Sequence, residues 1–202
     1  IECKRPDIKD SLKQAISQHL RNQKEDGIRS LYVYSALLLA TNVNEVSYAT
    51  TATPEKFWSK WTEQFADKNA EELYRYKLAE KVNEKRINPK MFSERYSYVR
   101  TDIEKKYDAP LTPSVQDAYI YNLCRPERLL GLMYGFTLYD DGIKKVARYQ
   151  QFFAVEKVME RVRNIEGGKR RGGVIWHTQG SGKSLTMVLL AQAILIDSSI
   201  RN

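Results

Sequence analysis

The sequence is poor in the groups that hold soft metals. Its 202 residues include two cysteines, Cys3 and Cys124, far apart and in no C-x-x-C, and two histidines. That scarcity argues against a zinc site and against a disulfide framework. No run approaches the roughly 20 apolar residues that cross a bilayer, so no membrane association is expected. No secretory leader is read, and a cytoplasmic location is the expectation. Internal repeats and low-complexity tracts are lacking too. The chain begins at Ile1 within a strand-like stretch and ends at Asn202 soon after a helix. A piece of a longer protein is therefore expected. What is present is globular in composition, 42% hydrophobic and 29% charged, with a net charge of +8. Such an excess favours an anionic partner, nucleic acid first, although solubility alone would also use it.

The most informative stretch is Gly172–Met187, GGVIWHTQGSGKSLTM. Gly173 to His177 predicts a short buried strand, Thr178 to Lys183 a tight glycine loop, and Ser184 to about Ile196 a helix. Strand, glycine loop and helix with Gly-Lys-Ser at the join is the phosphate-binding P-loop, in a looser form with His177 where the strict pattern has glycine. Gly180 and Gly182 would take positive φ and let the backbone approach a phosphate. Thr178, Gly180, Ser181, Gly182 and the helix N-terminus would supply amides to the anion. Lys183 would reach the β- and γ-phosphates of ATP, and the Ser184 hydroxyl would ligate Mg²⁺. Such an NTPase needs a later acidic strand for Mg²⁺, and too few residues follow to supply one.

At the other end, IECKRP puts Glu2 and Lys4 on one face of a strand and Cys3 on the other. Glu-x-Lys is the second half of the PD-(D/E)-x-K nuclease motif. There the carboxylate holds a divalent metal, and the lysine positions water and offsets charge developing on phosphorus. On its own the pattern also fits any half-buried strand. The next segment predicts a helix capped by Asp10 or Ser11, with Leu12, Ala15, Ile16, His19 and Leu20 as its apolar face. Nucleases of this class often carry a glutamine on this helix, which selects Gln18 first and Gln14 second. His19 reads as a packed histidine.

Further along, Leu31–Thr41 predicts a central strand and Glu45–Thr50 a more exposed one. Phe57, Trp58 and Trp61 fall at helical spacing and read as packing residues. Residues 66–109 are dominated by Lys, Arg, Glu and Tyr. Ala70, Leu73, Leu78 and Val82 there predict an amphipathic helix. Pro126 should start a helix, and Asp140-Asp141-Gly142 marks a turn. Lys145–Arg163 predicts a helix whose Gln151, or Gln150, could read adenine, since an amide both donates and accepts. Gly167–Gly173 reads as a flexible basic loop.

Four blocks occur together and in order: IECKRPDIKDSLKQAISQHLRNQKED with LYVYSALLLATN, ATTATPEKFWSKW, IKKVARYQQFFAVEKVMERV, and GGVIWHTQGSGKSLTM. In this they resemble the restriction (R) subunit of type I restriction–modification enzymes. The resemblance covers about half of the chain. It implies an α/β protein with the C-terminal part of a PD-(D/E)-x-K nuclease core at 1–55, a mostly helical charged connector at 56–125, and the start of a RecA-like P-loop motor at 126–202. It implies ATP-dependent translocation of double-stranded DNA coupled to metal-dependent cleavage, with ATP and Mg²⁺ as cofactors and the modification (M) and specificity (S) subunits as partners. By the same resemblance Glu2 and Lys4 match the E-x-K, with Glu2 on the nuclease metal. Gln18 matches the glutamine of a Q-x-x-x-Y motif whose tyrosine is here Asn22. Gln151 matches the adenine-reading glutamine, and Ser184 holds the Mg²⁺ of Mg·ATP. Two other classes remain open: a P-loop kinase or nucleotide switch without a nuclease, and a nucleic-acid-binding regulator with a degenerate pocket.

Overall fold

The computed structural model describes residues 1–84, 94–106, 109–176, 178–180 and 182–200. It is mixed α/β. Strand β1 (Glu2–Cys3) leads through helix α1 (Ser11–Asn22) and a short helix α2 (Arg29–Val33) to β2 (Leu38–Thr41) and β3 (Val46–Ala49). β2 is central. It pairs in parallel with β1, Glu2 opposite Ala40, and antiparallel with β3, Leu39 opposite Tyr48. Parallel β1 and β2 need a crossover between them, and α1 supplies it.

Helix α1 packs its predicted apolar stripe on this sheet. Ala15 and Ile16 are buried against Ala40, with Leu12, Leu20 and Trp58 around them. His19 is buried on the same face. Its ring nitrogens lie 2.9 Å from the Tyr32 hydroxyl and 3.0 Å from the Leu39 carbonyl, and the ring stacks on Trp58. Burial pushes its pKa below the usual histidine value, with the Leu39 carbonyl opposing that shift. The expected side-chain cap is not made. Asp10 sits at the N-cap in a left-handed conformation without a cap bond, and the Ser11 hydroxyl accepts from Asn42 instead.

Strand β3 is fully buried rather than exposed as its alternation suggested. Elements about one hundred residues away cover it. Helices α3 (Lys68–Asn83), α4 (Arg100–Lys106), α5 (Val115–Cys124) and α6 (Pro126–Gly135) follow the sheet. Then come a hairpin of β4 (Thr137–Asp140) and β5 (Ile143–Val146), and helix α7 (Tyr149–Arg163). The Tyr48 hydroxyl donates to the Ala147 carbonyl at 2.9 Å, and the Thr50 hydroxyl to the Lys144 carbonyl at 2.7 Å. Burial raises the Tyr48 pKa, which keeps that hydroxyl a donor.

Several local expectations are corrected. Phe57 closes a 3₁₀ turn at Glu55–Phe57, Trp58 is extended beyond it, and Trp61 is buried in the main core. On α3, Leu78 faces inward but Leu73 is exposed. Lys145 and Val146 belong to β5, not to the helix, because Asp141 and Gly142 both take positive φ and turn the chain back on itself. Gly167 and Gly168 do the same, so the basic loop is a hairpin of β6 (Ile165–Glu166) and β7 (Lys169–Arg170). Arg170 pins it by donating to the Val162 and Ser199 carbonyls.

Helix α8 (Lys183–Ile196) packs on α7 and α6. Its Leu189 joins Leu39, Tyr48, Trp61, Leu132, Phe152 and Val155 in one buried cluster. The sheet at the head of the chain and the helix near its tail thus share a single core. No helix among the described residues is long and apolar enough to cross a membrane.

Candidate functional sites

Two clusters of polar groups stand apart from this core. The first lies at the edge strand β1. The period of two turns Glu2 and Lys4 to the same side, and the Lys4 ammonium sits 2.9 Å from Glu2 Oε1. Lys4 remains in the ladder beyond β1, donating its backbone N–H to the Thr41 carbonyl at 2.8 Å. Its ammonium also donates to Gln18 Oε1 at 2.5 Å. Cys3 points the other way, 3.4 Å from the Gln116 amide. Gln14 is spent locally on the Lys9 carbonyl, so Gln18 is the glutamine of α1 that reaches the pair.

Both side chains of the pair remain about one fifth exposed. A substrate can therefore reach them, while partial burial strengthens their interaction relative to bulk water. An ammonium held by a carboxylate and an amide oxygen has a fixed position and one donor left. That donor suits an anionic oxygen or a water. No group of three or more metal-ligating side chains occurs among the described residues. Magnesium commonly takes one or two carboxylates and completes its octahedron with water and substrate phosphate, so Glu2 fits as the one protein ligand on this strand. Asn22 closes the turn after α1 by accepting the Ile28 N–H at 2.9 Å.

The second cluster is the glycine loop before α8. Gly180 has φ 75° and Gly182 φ 84°, the conformation the sequence demanded of them. Lys183 and Ser184 occupy the first turn of α8 and are exposed, as are Thr178, Gly180 and Gly182. The N-terminal end of a fourteen-residue helix, with its dipole, therefore faces solvent beside an ammonium and a hydroxyl. Ser181 and His177 lie outside the described residues. Nothing among the described residues lies within 4 Å of where a Cβ on Gly180 would sit, so the backbone there is open to an anion.

Gln151 ties this loop to α7. It is buried; its Oε1 accepts the Arg148 backbone N–H at 2.8 Å, and its Nε2 donates to the Gly182 carbonyl at 3.2 Å. One N–H and one lone pair of the amide stay available. A Cβ on Gly182 would come within 2.5 Å of that Nε2. Gly182→Ala should therefore push Gln151 away and hold an alanine in a left-handed conformation that costs about 1–2 kcal/mol. The expected result is at least a tenfold loss of nucleotide affinity in equilibrium titration, whereas unchanged affinity would mean that Gly182 does not shape the site. Gln150, the other candidate, is exposed and lines a separate groove with Lys157, Arg161 and Trp176.

Of the strand expected at 173–177, residues 173–176 form no ladder among the described residues, and Val174 and Trp176 are more than 90% exposed. Apolar sequence proposes a strand, but only a neighbouring strand can satisfy its backbone, and the nearest hairpin, β6–β7, pairs with itself. Likewise α8 buries only one side: Thr186 and Leu189 face inward, while Met187 and Leu195 are exposed.

Sequence reasoning missed the cavity of about 460 Å³ beside the glycine loop. Gly180, Gly182, Gln151 and Arg148 line one wall, and Thr50 and Phe57 the other. Nothing in the spacing of residues 50 and 57 points to a loop more than one hundred residues later.

Residues 1–57 match the family described as type I restriction enzyme R protein N terminus, and residues 150–202 match the SWI2/SNF2 ATPase family. Curated relatives include the type I restriction enzyme HindI endonuclease subunit of Haemophilus influenzae, 38% identical over 87 residues, 40% of this chain and 8% of that one. The putative type I restriction enzyme MjaIXP endonuclease subunit of Methanocaldococcus jannaschii is 26% identical over 202 residues, 96% of this chain and 17% of the relative. The putative MjaVIIP endonuclease subunit of the same organism is 36% identical over 85 residues, 38% of this chain and 8% of the relative. The chain thus spans less than one fifth of the length of these relatives. No solved structure matches it. The resemblance to type I R subunits read from the residues is met by both comparisons.

Proposed function

We propose that this chain is part of the R subunit of a type I restriction enzyme, and that it contributes to ATP-dependent translocation and metal-dependent cleavage of double-stranded DNA. The observation that carries the proposal is the Glu2–Lys4–Gln18 constellation, a carboxylate, an ammonium and an amide brought together from β1 and α1. Its support at the other end is a glycine loop with positive φ at both visible glycines and Lys-Ser in the first helical turn. Residues 1–55 are the rear of a PD-(D/E)-x-K nuclease core, 56–125 a connector, and 126–202 the beginning of a RecA-like motor. Modification and specificity subunits are the expected partners.

In this reading Glu2 would hold Mg²⁺, and the chemistry that ion would supply is Lewis-acid polarisation of a phosphate and a more acidic water. Lys4 orients the incoming oxygen and offsets charge building on the phosphoryl oxygens, and Gln18 keeps the Lys4 ammonium aimed. At the loop, the amides of residues 178–184 and the Lys183 ammonium would bind the phosphates of ATP, and Ser184 would hold its Mg²⁺. Gln151 fixes the loop and offers its remaining N–H and lone pair to the base, and the adjoining cavity accommodates the nucleoside.

Lys183→Ala in the full-length protein should lower DNA-stimulated ATP hydrolysis by about 10²–10³-fold, the scale for losing one preorganised charge at a reacting phosphate. Translocation, followed by displacement of a triplex-forming strand, should be lost with it. Wild-type translocation by Lys183→Ala would favour a regulator with a degenerate pocket.

A further inference from the structure

The outward side of α1 is a row of cations without an acid. Lys13, Ser17 and Arg21 follow one another at i, i+4 and i+8, and all three are exposed. Lys24 extends the row into the closing turn, where its backbone N–H donates to the Arg21 carbonyl at 3.0 Å. No Asp or Glu occurs from Ser11 to Asn22. Two acids near the row are committed elsewhere, Asp7 to Arg5 and Glu25 to Arg29, while Asp10 and Asp26 flank its two ends. Among the described residues, Lys13, Arg21 and Lys24 enter no ion pair.

The row is continuous with the first site. Arg21 lies one turn beyond Gln18 on the same helix, so the two side chains are surface neighbours. Gln18 in turn accepts from Lys4. From Lys13 to Arg21 the helix rises about 12 Å, the axial rise of three to four phosphates of one DNA strand. A helix stabilised by its buried stripe has no structural need for two exposed cations on its outward side and a third in the turn that follows, and their mutual repulsion is relieved by an anion.

We propose that Lys13, Arg21 and Lys24 form the surface on which the phosphate backbone of duplex DNA lies as it enters the Glu2–Lys4 site. This rests on the nuclease reading of that site and adds to it a binding surface that contacts phosphates and reads no bases.

The test is binding of a duplex to the full-length protein without divalent metal, across a series of salt concentrations. Each phosphate contact steepens the dependence of log K on log salt by about 0.9, so the triple variant Lys13→Gln, Arg21→Gln, Lys24→Gln should flatten that slope by about 2.7. Its KM for DNA in cleavage should rise with kcat retained. Arg21→Lys, which keeps the charge, should keep the slope. An unchanged slope in the triple variant overturns the proposal. Glu2→Gln separates the two readings: it should lose cleavage and keep the wild-type slope. Normal cleavage by Glu2→Gln would instead remove the nuclease reading on which the surface depends.

Discussion

Replacing Lys4 by alanine is expected to slow DNA cleavage by the full-length protein by about 10²–10³-fold, with DNA affinity little changed. The expectation follows from where the ammonium is held. It bridges the Glu2 carboxylate at 2.9 Å and the Gln18 amide oxygen at 2.5 Å, so neither its charge nor its direction is left to a flexible side chain. Alanine removes the charge that would offset the developing phosphoryl anion and leaves a void that water fills with poorer orientation. Gln18→Ala should cost less, about tenfold, since Lys4 keeps Glu2 but loses one of its two guides. Single-turnover cleavage of a labelled duplex at saturating protein measures both. Equal rates for wild type and Lys4→Ala would show that the contact with Glu2 is an ordinary ion pair on an edge strand.

The second large effect concerns stability. Glu63→Ala should destabilise the fold by about 3–5 kcal/mol, the cost of leaving a buried charge without its partner. Glu63 accepts from Trp61 Nε1 at 2.8 Å, from Arg125 at 3.3 Å and from Arg128 at 2.8 Å. Arg128 is 8% exposed, and its guanidinium lies over Trp61, Phe152 and Phe153, with 4.4 Å to the Phe152 ring. Desolvation pulls the Arg128 pKa below its usual value, and Glu63 opposes that pull. Remove Glu63 and the rings, with the electrostatic pull of Glu156, must hold the cation, the rings at about 2 kcal/mol or somewhat more per desolvated contact. Against a typical total of about 5–15 kcal/mol, the loss would be a large fraction. Urea unfolding reads it as a lowered midpoint at unchanged slope. A loss below about 1 kcal/mol would mean that water reaches Arg128 and takes over from the carboxylate.

This ion pair also shows where a sequence stops being legible. Glu63 and Arg128 stand 65 positions apart, with nothing in either neighbourhood to pair them. The stripe of α1 was readable because helical periodicity alone fixes it. So was the geometry of Gly180 and Gly182, because a tight loop there takes positive φ, which only glycine adopts without cost. The Glu2–Lys4 pair was readable because alternation along a strand puts both on one side. By contrast, the burial of β3 depends on Ala147 and Lys144, about one hundred residues on. The run Val174-Ile175-Trp176 has the composition of a strand but lacks a ladder partner among the described residues. Gln151 was picked out for a base, and the structure adds its bond to Gly182, which spacing could not reveal.

The shared core places the two sites in one folded unit. Leu39, opposite Tyr48 in the sheet, packs in the same cluster as Leu189 of α8. The account therefore assigns two phosphate chemistries to one body and predicts that they can be separated by a single substitution at either end. The most direct measurement is to follow DNA cleavage and DNA-stimulated ATP hydrolysis side by side in the full-length Glu2→Gln protein. The account predicts cleavage lowered by at least about 10²-fold, since a metal there would lose its carboxylate, with ATP hydrolysis within about twofold of wild type. Undiminished cleavage in Glu2→Gln would contradict it.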